Sequence, residues 1–259
     1  MVYPAPSVAV GNPPDGLEEV KFPQPEGVDV YGWLYRKPAA NDSTPIVLFL
    51  HGNGENLQTM NVGGLFKAFQ HLDVHYLALD YPGYGKSGGE PSESSILEAG
   101  NRAFDWLTAQ FPKNPKVIFG WSLGAGAAFQ IAVQRQPEGL VVLSPWSSLP
   151  EAAAAHYPEW LVGLVLKERY NSVEAAKQIH CPTLVIHGEV DKIIPVSQSE
   201  KIAASLRGTM RYMRMTDAAH NDLFAQEEVW QQLYHFLHNF TRADYGKPPA
   251  DAEFQQMDE

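Results

Sequence analysis

Lys116-Val117-Ile118-Phe119-Gly120-Trp121-Ser122-Leu123-Gly124, running on into Ala125 to Arg135, is the stretch whose reading decides the fold. An apolar run, a G-x-S-x-G turn and a helix-compatible run follow one another, the order of strand, sharp turn and helix that a nucleophile elbow demands. In such an elbow the serine sits at strained backbone angles. Glycines two residues before and two after it let the helix pack back against the strand. Ser122 is therefore a candidate nucleophile. The same five residues also suit an ordinary Gly/Ser turn, so the reading depends on whether the chain supplies a base, an orienting acid and an oxyanion hole.

Outward from the elbow, strand and helix patterns alternate. Ile46 to Leu50 and Leu140 to Leu143 are continuous apolar runs, as expected of strands buried on both faces of a parallel sheet. Val74 to Leu79, Thr183 to His187 and Met210 to Met215 read as further strands. Helices are expected at Val62 to His71, about Glu93 to Gln110, Ser197 to Leu206 and Asp222 to Phe240. Leu17 to Phe22 and Val28 to Tyr35, joined by a Pro/Gly-rich turn, predict an antiparallel hairpin at the sheet edge. The expected fold class is α/β: a mostly parallel sheet with helices on both faces. Residues 1–16 read as an extended lead-in, 17–240 as one domain and 241–259 as a frayed polar tail. Between the strands at 140–143 and 183–187 the alternation pauses. Residues 147–180 suit a short helical lid or an ordinary crossover, and Trp160, Leu161, Leu164, Val165 and Leu166 suit either a lid underside or core.

Composition narrows the function classes. The chain has 259 residues, 44% hydrophobic and 19% charged, with a formal net charge of -11, which suits one large globular domain. No basic cluster is present to neutralise phosphates, so no nucleic-acid partner is expected, and simple attachment to anionic lipid is disfavoured. The single cysteine, Cys181, excludes an intrachain disulfide and reads as a small buried hydrophobe. No apolar stretch is long enough to predict a transmembrane segment, and the first residues lack the features of a signal peptide. A cytoplasmic chain and an exported one whose signal has been removed both match, and the oligomeric state stays open.

Serine hydroxyl needs a neighbouring base, usually histidine held in one tautomer by a carboxylate. On a parallel sheet these groups come from loops at the carboxyl ends of strands. Asp191 follows the strand Thr183 to His187 and is the candidate acid, with Glu189 in the tighter part of the same turn. His220 follows the strand Met210 to Met215 and is the candidate base. Alone, Asp191 would be an ordinary Asx-turn residue and His220 a cap-region residue; together with Ser122 they stand in the order Ser, Asp, His. The oxyanion donors are expected to be the N–H of Leu123, at a helix start where the dipole favours negative charge, and that of Asn53, with Gly54 second. His51 is assigned to shaping that loop. Tyr84, Trp121, Trp146 and Tyr157 are candidate pocket walls. No metal motif or nucleotide fingerprint is present, so no metal or cofactor is expected.

With the elbow GWSLG, HGNGEN at 51–56, DYPGYGKSGGEPSE at 80–93, HGEVDKIIP at 187–195 and AHND at 219–222, the chain resembles the α/β-hydrolase superfamily, in particular its small-lid ABHD-type serine hydrolases. Pro82 and Ala218 depart from residues common in relatives without removing a catalytic group. The resemblance implies an eight-stranded sheet whose second strand is antiparallel, with Ser122, Asp191 and His220 as a triad. The expected function is hydrolysis of carboxylic esters or thioesters, on a small-molecule ester or an acylated substrate, through an acyl-enzyme. A serine peptidase acting on short peptides and a non-catalytic binding or scaffold protein on the same fold are the alternatives.

Overall fold

The computed structural model describes residues 2–24 and 27–241. The chain enters the sheet through β1 (Leu17–Pro23) and β2 (Asp29–Tyr35), paired antiparallel with Leu17 opposite Tyr35. Six strands follow: β3 (Ile46–Leu50), β4 (His75–Leu79), β5 (Lys116–Trp121), β6 (Gly139–Leu143), β7 (Thr183–Gly188) and β8 (Met210–Met215). They complete an eight-stranded sheet in the order β1-β2-β4-β3-β5-β6-β7-β8, in which β2 runs antiparallel to both neighbours and all later pairs are parallel. Every residue of β3 to β7 is buried, the physical reason those runs are apolar without alternation.

The helices are α1 (Leu57–Val62), α2 (Leu65–Gln70), α3 (Glu93–Gln110), α4 (Leu123–Arg135), α5 (Leu149–Ala154), α6 (Glu159–Val165), α7 (Ser172–Ala176), α8 (Val196–Ser205) and α9 (Glu227–Asn239). One layer of core sets Leu48, Ile118 and Val142 against Phe104 of α3 and Phe129 of α4. The other sets Phe49, Phe119 and Val141 against Phe66 and Phe69 of α2 and Leu233 and Phe236 of α9. Alternate residues of each strand thus feed opposite layers.

Three expectations are corrected. The helix expected at Val62 to His71 is two short helices broken at Gly63-Gly64, because Gly64 adopts a left-handed φ of 78° as the N-cap of α2. Its true start is earlier, at an Asn56/Thr59 capping box. The closing helix begins five residues late, since Gln226 is extended and leaves Leu223–Ala225 as a separate 3-10 turn. Within 147–180, Trp160, Leu164 and Val165 are neither lid underside nor core: they are 73%, 78% and 67% exposed, while Val162 is the buried side of α6. The lead-in also packs more closely than expected. Tyr3 is buried and its hydroxyl donates to that of Tyr170 at 3.2 Å. The frayed tail expected at 241–259 lies, beyond residue 241, outside the described residues.

The elbow depends on close backbone approach. A Cβ added to Gly124 would lie 1.9 Å from the Leu50 carbonyl oxygen, and one added to Gly120 2.2 Å from that of Gly124. Backbone, unlike a flexible side chain, cannot turn aside. Gly124→Ala is therefore expected to lower stability by at least about 3 kcal/mol, at the upper end of overpacking costs, read as a drop in the urea midpoint; an unchanged midpoint would contradict this packing.

Candidate active site

β5 ends at Trp121 and α4 begins at Leu123, so Ser122 alone turns the chain, at φ 55° and ψ -112°. That left-handed φ is costly for a residue with a Cβ and is held by its surroundings. The Ser122 N–H donates to the Leu143 carbonyl at 3.0 Å, and its carbonyl accepts from Ala125 at 3.0 Å. Its hydroxyl is aimed at the end of the sheet where the turns after β7 and β8 meet.

Those turns carry Asp191 and His220. His220 Nε2 lies 2.9 Å from Ser122 Oγ, and His220 Nδ1 lies 2.7 Å from Asp191 Oδ2. All three residues are 6% exposed. Asp191 Oδ1 accepts the N–H groups of Ile193 and Ile194, both at 2.8 Å, so the carboxylate cannot rotate freely. Burial pushes the Asp191 carboxyl up, but hydrogen bonds from His187 and His220 outweigh it and hold the group well below the usual carboxylate range. An ionised carboxylate only accepts, so the Nδ1 facing it carries the proton and leaves the Nε2 lone pair toward the serine hydroxyl.

Leu123 is the first residue of the 13-residue α4, where the N–H has no partner inside the helix. Asn53 lies across a cleft of about 510 Å³ that it shares with Ser122, His220 and Trp121. Met60, Leu65, Ile193 and Phe224 give this cleft apolar walls. Trp121 stands beside the nucleophile, 6.1 Å between ring centroids from His220 and 5.2 Å from Phe224. A Cβ at Gly52 would come within 2.9 Å of its ring, so a glycine there lets the indole lie against the loop. His51 is fully buried beneath, its carbonyl accepting from Gly124 N–H at 3.1 Å and Tyr81 OH at 2.7 Å.

Comparison with known proteins identifies the family and the fold. The family model for the alpha/beta hydrolase fold matches residues 45–173, and that of the prolyl oligopeptidase family matches 116–244. The uncharacterized protein Rv2307c of Mycobacterium tuberculosis is 37% identical over 199 residues, spanning 76% of this chain and 70% of its own. The chain belongs to the α/β-hydrolase superfamily. This hydrolase is also 30% identical to lysophosphatidylserine lipase ABHD12 of Xenopus tropicalis over 76% of its length, though it spans only 58% of that lipase. Among solved structures, the Pyrococcus furiosus esterase Pf2001 shares the fold with a TM-score of 0.74, at 22% identity, over 93% of this chain and 98% of the esterase.

Of the expected pocket residues, only Trp121 reaches the cleft of this hydrolase. Tyr84 is fully buried and donates its hydroxyl to Asn53 Oδ1 at 2.8 Å, beneath the loop. Trp146 lies under α4, where it occupies the space a Cβ at Gly126 would take, and it meets Tyr170 edge-on. Tyr157 is 61% exposed on the turn between α5 and α6, and Gly54, at φ 80°, backs onto the Pro4 carbonyl. Sequence reading missed Phe224, which the separate 3-10 turn aims at Trp121, and His187, four residues before Asp191 and 3.3 Å from its Oδ2. Burial pushes the Cys181 thiol up to about 11, away from thiolate chemistry.

No helix among the described residues is long and apolar enough to cross a membrane. The depressed Asp191 pKa has a stability consequence. Its ionised form stabilises the fold fully above the ordinary value of 3.8, and that contribution is lost as pH falls toward the lower folded-state value. Asp191→Asn is expected to be less stable than wild type by a margin that narrows below about pH 4. Urea denaturation stepped through that range measures it; a margin that widens on acidification would contradict the assignment.

Proposed function

We propose that this chain is a serine hydrolase that cleaves carboxylic esters or thioesters through an acyl-enzyme on Ser122. The observation that carries the reading is the unbroken chain from Ser122 Oγ to His220 Nε2 at 2.9 Å and from His220 Nδ1 to Asp191 Oδ2 at 2.7 Å, opening on an apolar-walled cleft. Ser122 attacks the acyl carbonyl while His220 takes its proton; His220 then returns the proton to the leaving oxygen or sulfur. Water then enters, gives a proton to the same imidazole and attacks the acyl carbon; the ester bond to Ser122 breaks, Ser122 Oγ takes that proton back and the acid is released. Asp191 keeps its charge throughout and stabilises the imidazolium. The oxyanion is held by the N–H groups of Leu123 and Asn53, the first aided by the α4 dipole.

Met60, Leu65, Trp121 and Phe224 suit an acyl chain, and the lysophosphatidylserine lipase activity for which the relatives are named favours substrates with one acyl chain. Residues 147–180 serve in this reading as a minimal lid. His156 Nε2 sits 2.7 Å from the carbonyl of Ile193 on the cleft wall, joining that segment to the mouth of the site. The prolyl oligopeptidase match over 116–244 favours a second reading, hydrolysis of short peptides. A peptidase that anchors a free amine needs a carboxylate cluster, and among the described residues Glu55 is the one carboxylate on the cleft wall.

Ser122→Ala is expected to lower kcat by roughly 10⁴- to 10⁶-fold with an unchanged thermal midpoint, on a panel of p-nitrophenyl esters, acyl thioesters and aminoacyl amides. Wild-type turnover of the amides alone would favour the peptidase, and full activity in the variant would sink the serine mechanism. Trp121→Ala is expected to shift acyl chain-length preference more than kcat on the best substrate. An unchanged preference would remove Trp121 from the acyl pocket.

A further inference from the structure

The proposed oxyanion loop has a mechanical problem. Asn53 must present its N–H at a fixed point, yet glycines flank it on both sides, and Gly54 occupies the left-handed region at φ 80°. Glycine gives the chain freedom that the loop itself cannot remove. Something outside the loop has to hold Asn53.

Both polar ends of its side chain are engaged. Asn53 Nδ2 donates to the Val2 carbonyl at 2.7 Å, and Asn53 Oδ1 accepts from Tyr84 OH at 2.8 Å. Tyr84 is fully buried, and burial pushes its phenol well above the usual range, so it stays protonated and donates. Val2 belongs to a strap, residues 2–11, that is stitched once more to the same loop and once to the first turn of α1. The Val8 carbonyl accepts from Asn56 Nδ2 at 2.8 Å, and Gly11 N–H donates to Gln58 Oε1 at 3.1 Å. The strap is anchored at its other contact by Tyr3, buried with its hydroxyl on that of Tyr170, beyond α6.

We propose that the N-terminal strap and Tyr84 are positioning elements of the active site: together they clamp the Asn53 side chain and so hold its N–H where the oxyanion forms. The inference rests on the serine-hydrolase reading. It assigns no chemistry to Tyr84 or to the strap. The reacting atoms meet only the Asn53 backbone, and the clamp acts through it. A loop released to move by an ångström would bind substrate nearly as well and stabilise the transition state less, so the loss falls on kcat.

The test uses full-length Asn53→Ala, which keeps the backbone N–H, Tyr84→Phe, which removes one hydroxyl and keeps the ring, and Tyr3→Ala, which frees the strap anchor. Each is compared with wild type for kcat and KM on a p-nitrophenyl ester and for thermal midpoint. Asn53→Ala is expected to lower kcat by about tenfold with KM within about twofold. Tyr84→Phe should show a smaller loss of the same kind. Because Tyr3 and Asn53 act through one clamp, the double variant Tyr3→Ala/Asn53→Ala should lose no more than Asn53→Ala alone. Wild-type kcat in Asn53→Ala and Tyr84→Phe, or a loss confined to KM or to the thermal midpoint, overturns the proposal. Additive losses in the double variant overturn the role of the strap. Ser122→Ala separates the two levels: if it is inactive while Asn53→Ala is fully active, the serine mechanism stands and the clamp falls.

Discussion

The structure depends on how closely α4 approaches β3 and β5. Gly120 and Gly124 have no side chain to hold the helix off, and the Gly124 N–H reaches the His51 carbonyl at 3.1 Å. With strand and helix that near, one residue is left to make the turn, and Ser122 makes it at φ 55°. The strained angle, the outward hydroxyl and the free N–H of Leu123 all follow from this one contact. So does the placement of the loop after β3, because the His51 carbonyl that receives Gly124 begins that loop.

The rest of the site is assembled by sheet order. β5, β6, β7 and β8 are neighbours in parallel register, so their following loops open at one edge, and residues 98 positions apart come within hydrogen-bond distance. Asp191 is fixed by two backbone N–H donors before it meets His220, which confines the imidazole to one orientation. Electrostatics and packing reinforce one another there. The carboxylate stays ionised although buried because its desolvation is offset by four hydrogen-bonding partners, His187, His220, Ile193 and Ile194.

Fold class, strand order of appearance and the Ser122, Asp191, His220 constellation were legible in the sequence because each depends on a local signal: an apolar run, a glycine-flanked turn, a titratable residue just past a strand. The walls of the cleft were not. Tyr84 and Trp146 stand near the site in sequence, but the side to which a residue points is set by turns such as the Gly83 and Gly85 left-handed positions, whose outcome is three-dimensional. Phe224 was hidden inside an expected helix, and the partners of residues 2–11 are 47 to 167 positions away, beyond any local pattern. The split between α1 and α2 was announced by Gly63-Gly64 and by the Asn56/Thr59 pair, and periodicity alone passed over both.

The proposed mechanism requires Ser122 as nucleophile, facing an oxyanion hole made by Leu123 and Asn53. A crystal structure of the protein after reaction with a fluorophosphonate measures this directly, since the phosphonyl group stands in for the tetrahedral intermediate. The expected density is continuous with Ser122 Oγ, with the phosphonyl oxygen about 2.7 to 3.1 Å from the N–H groups of both Leu123 and Asn53. An adduct on another residue, or one on Ser122 whose phosphonyl oxygen points away from both donors, would contradict it.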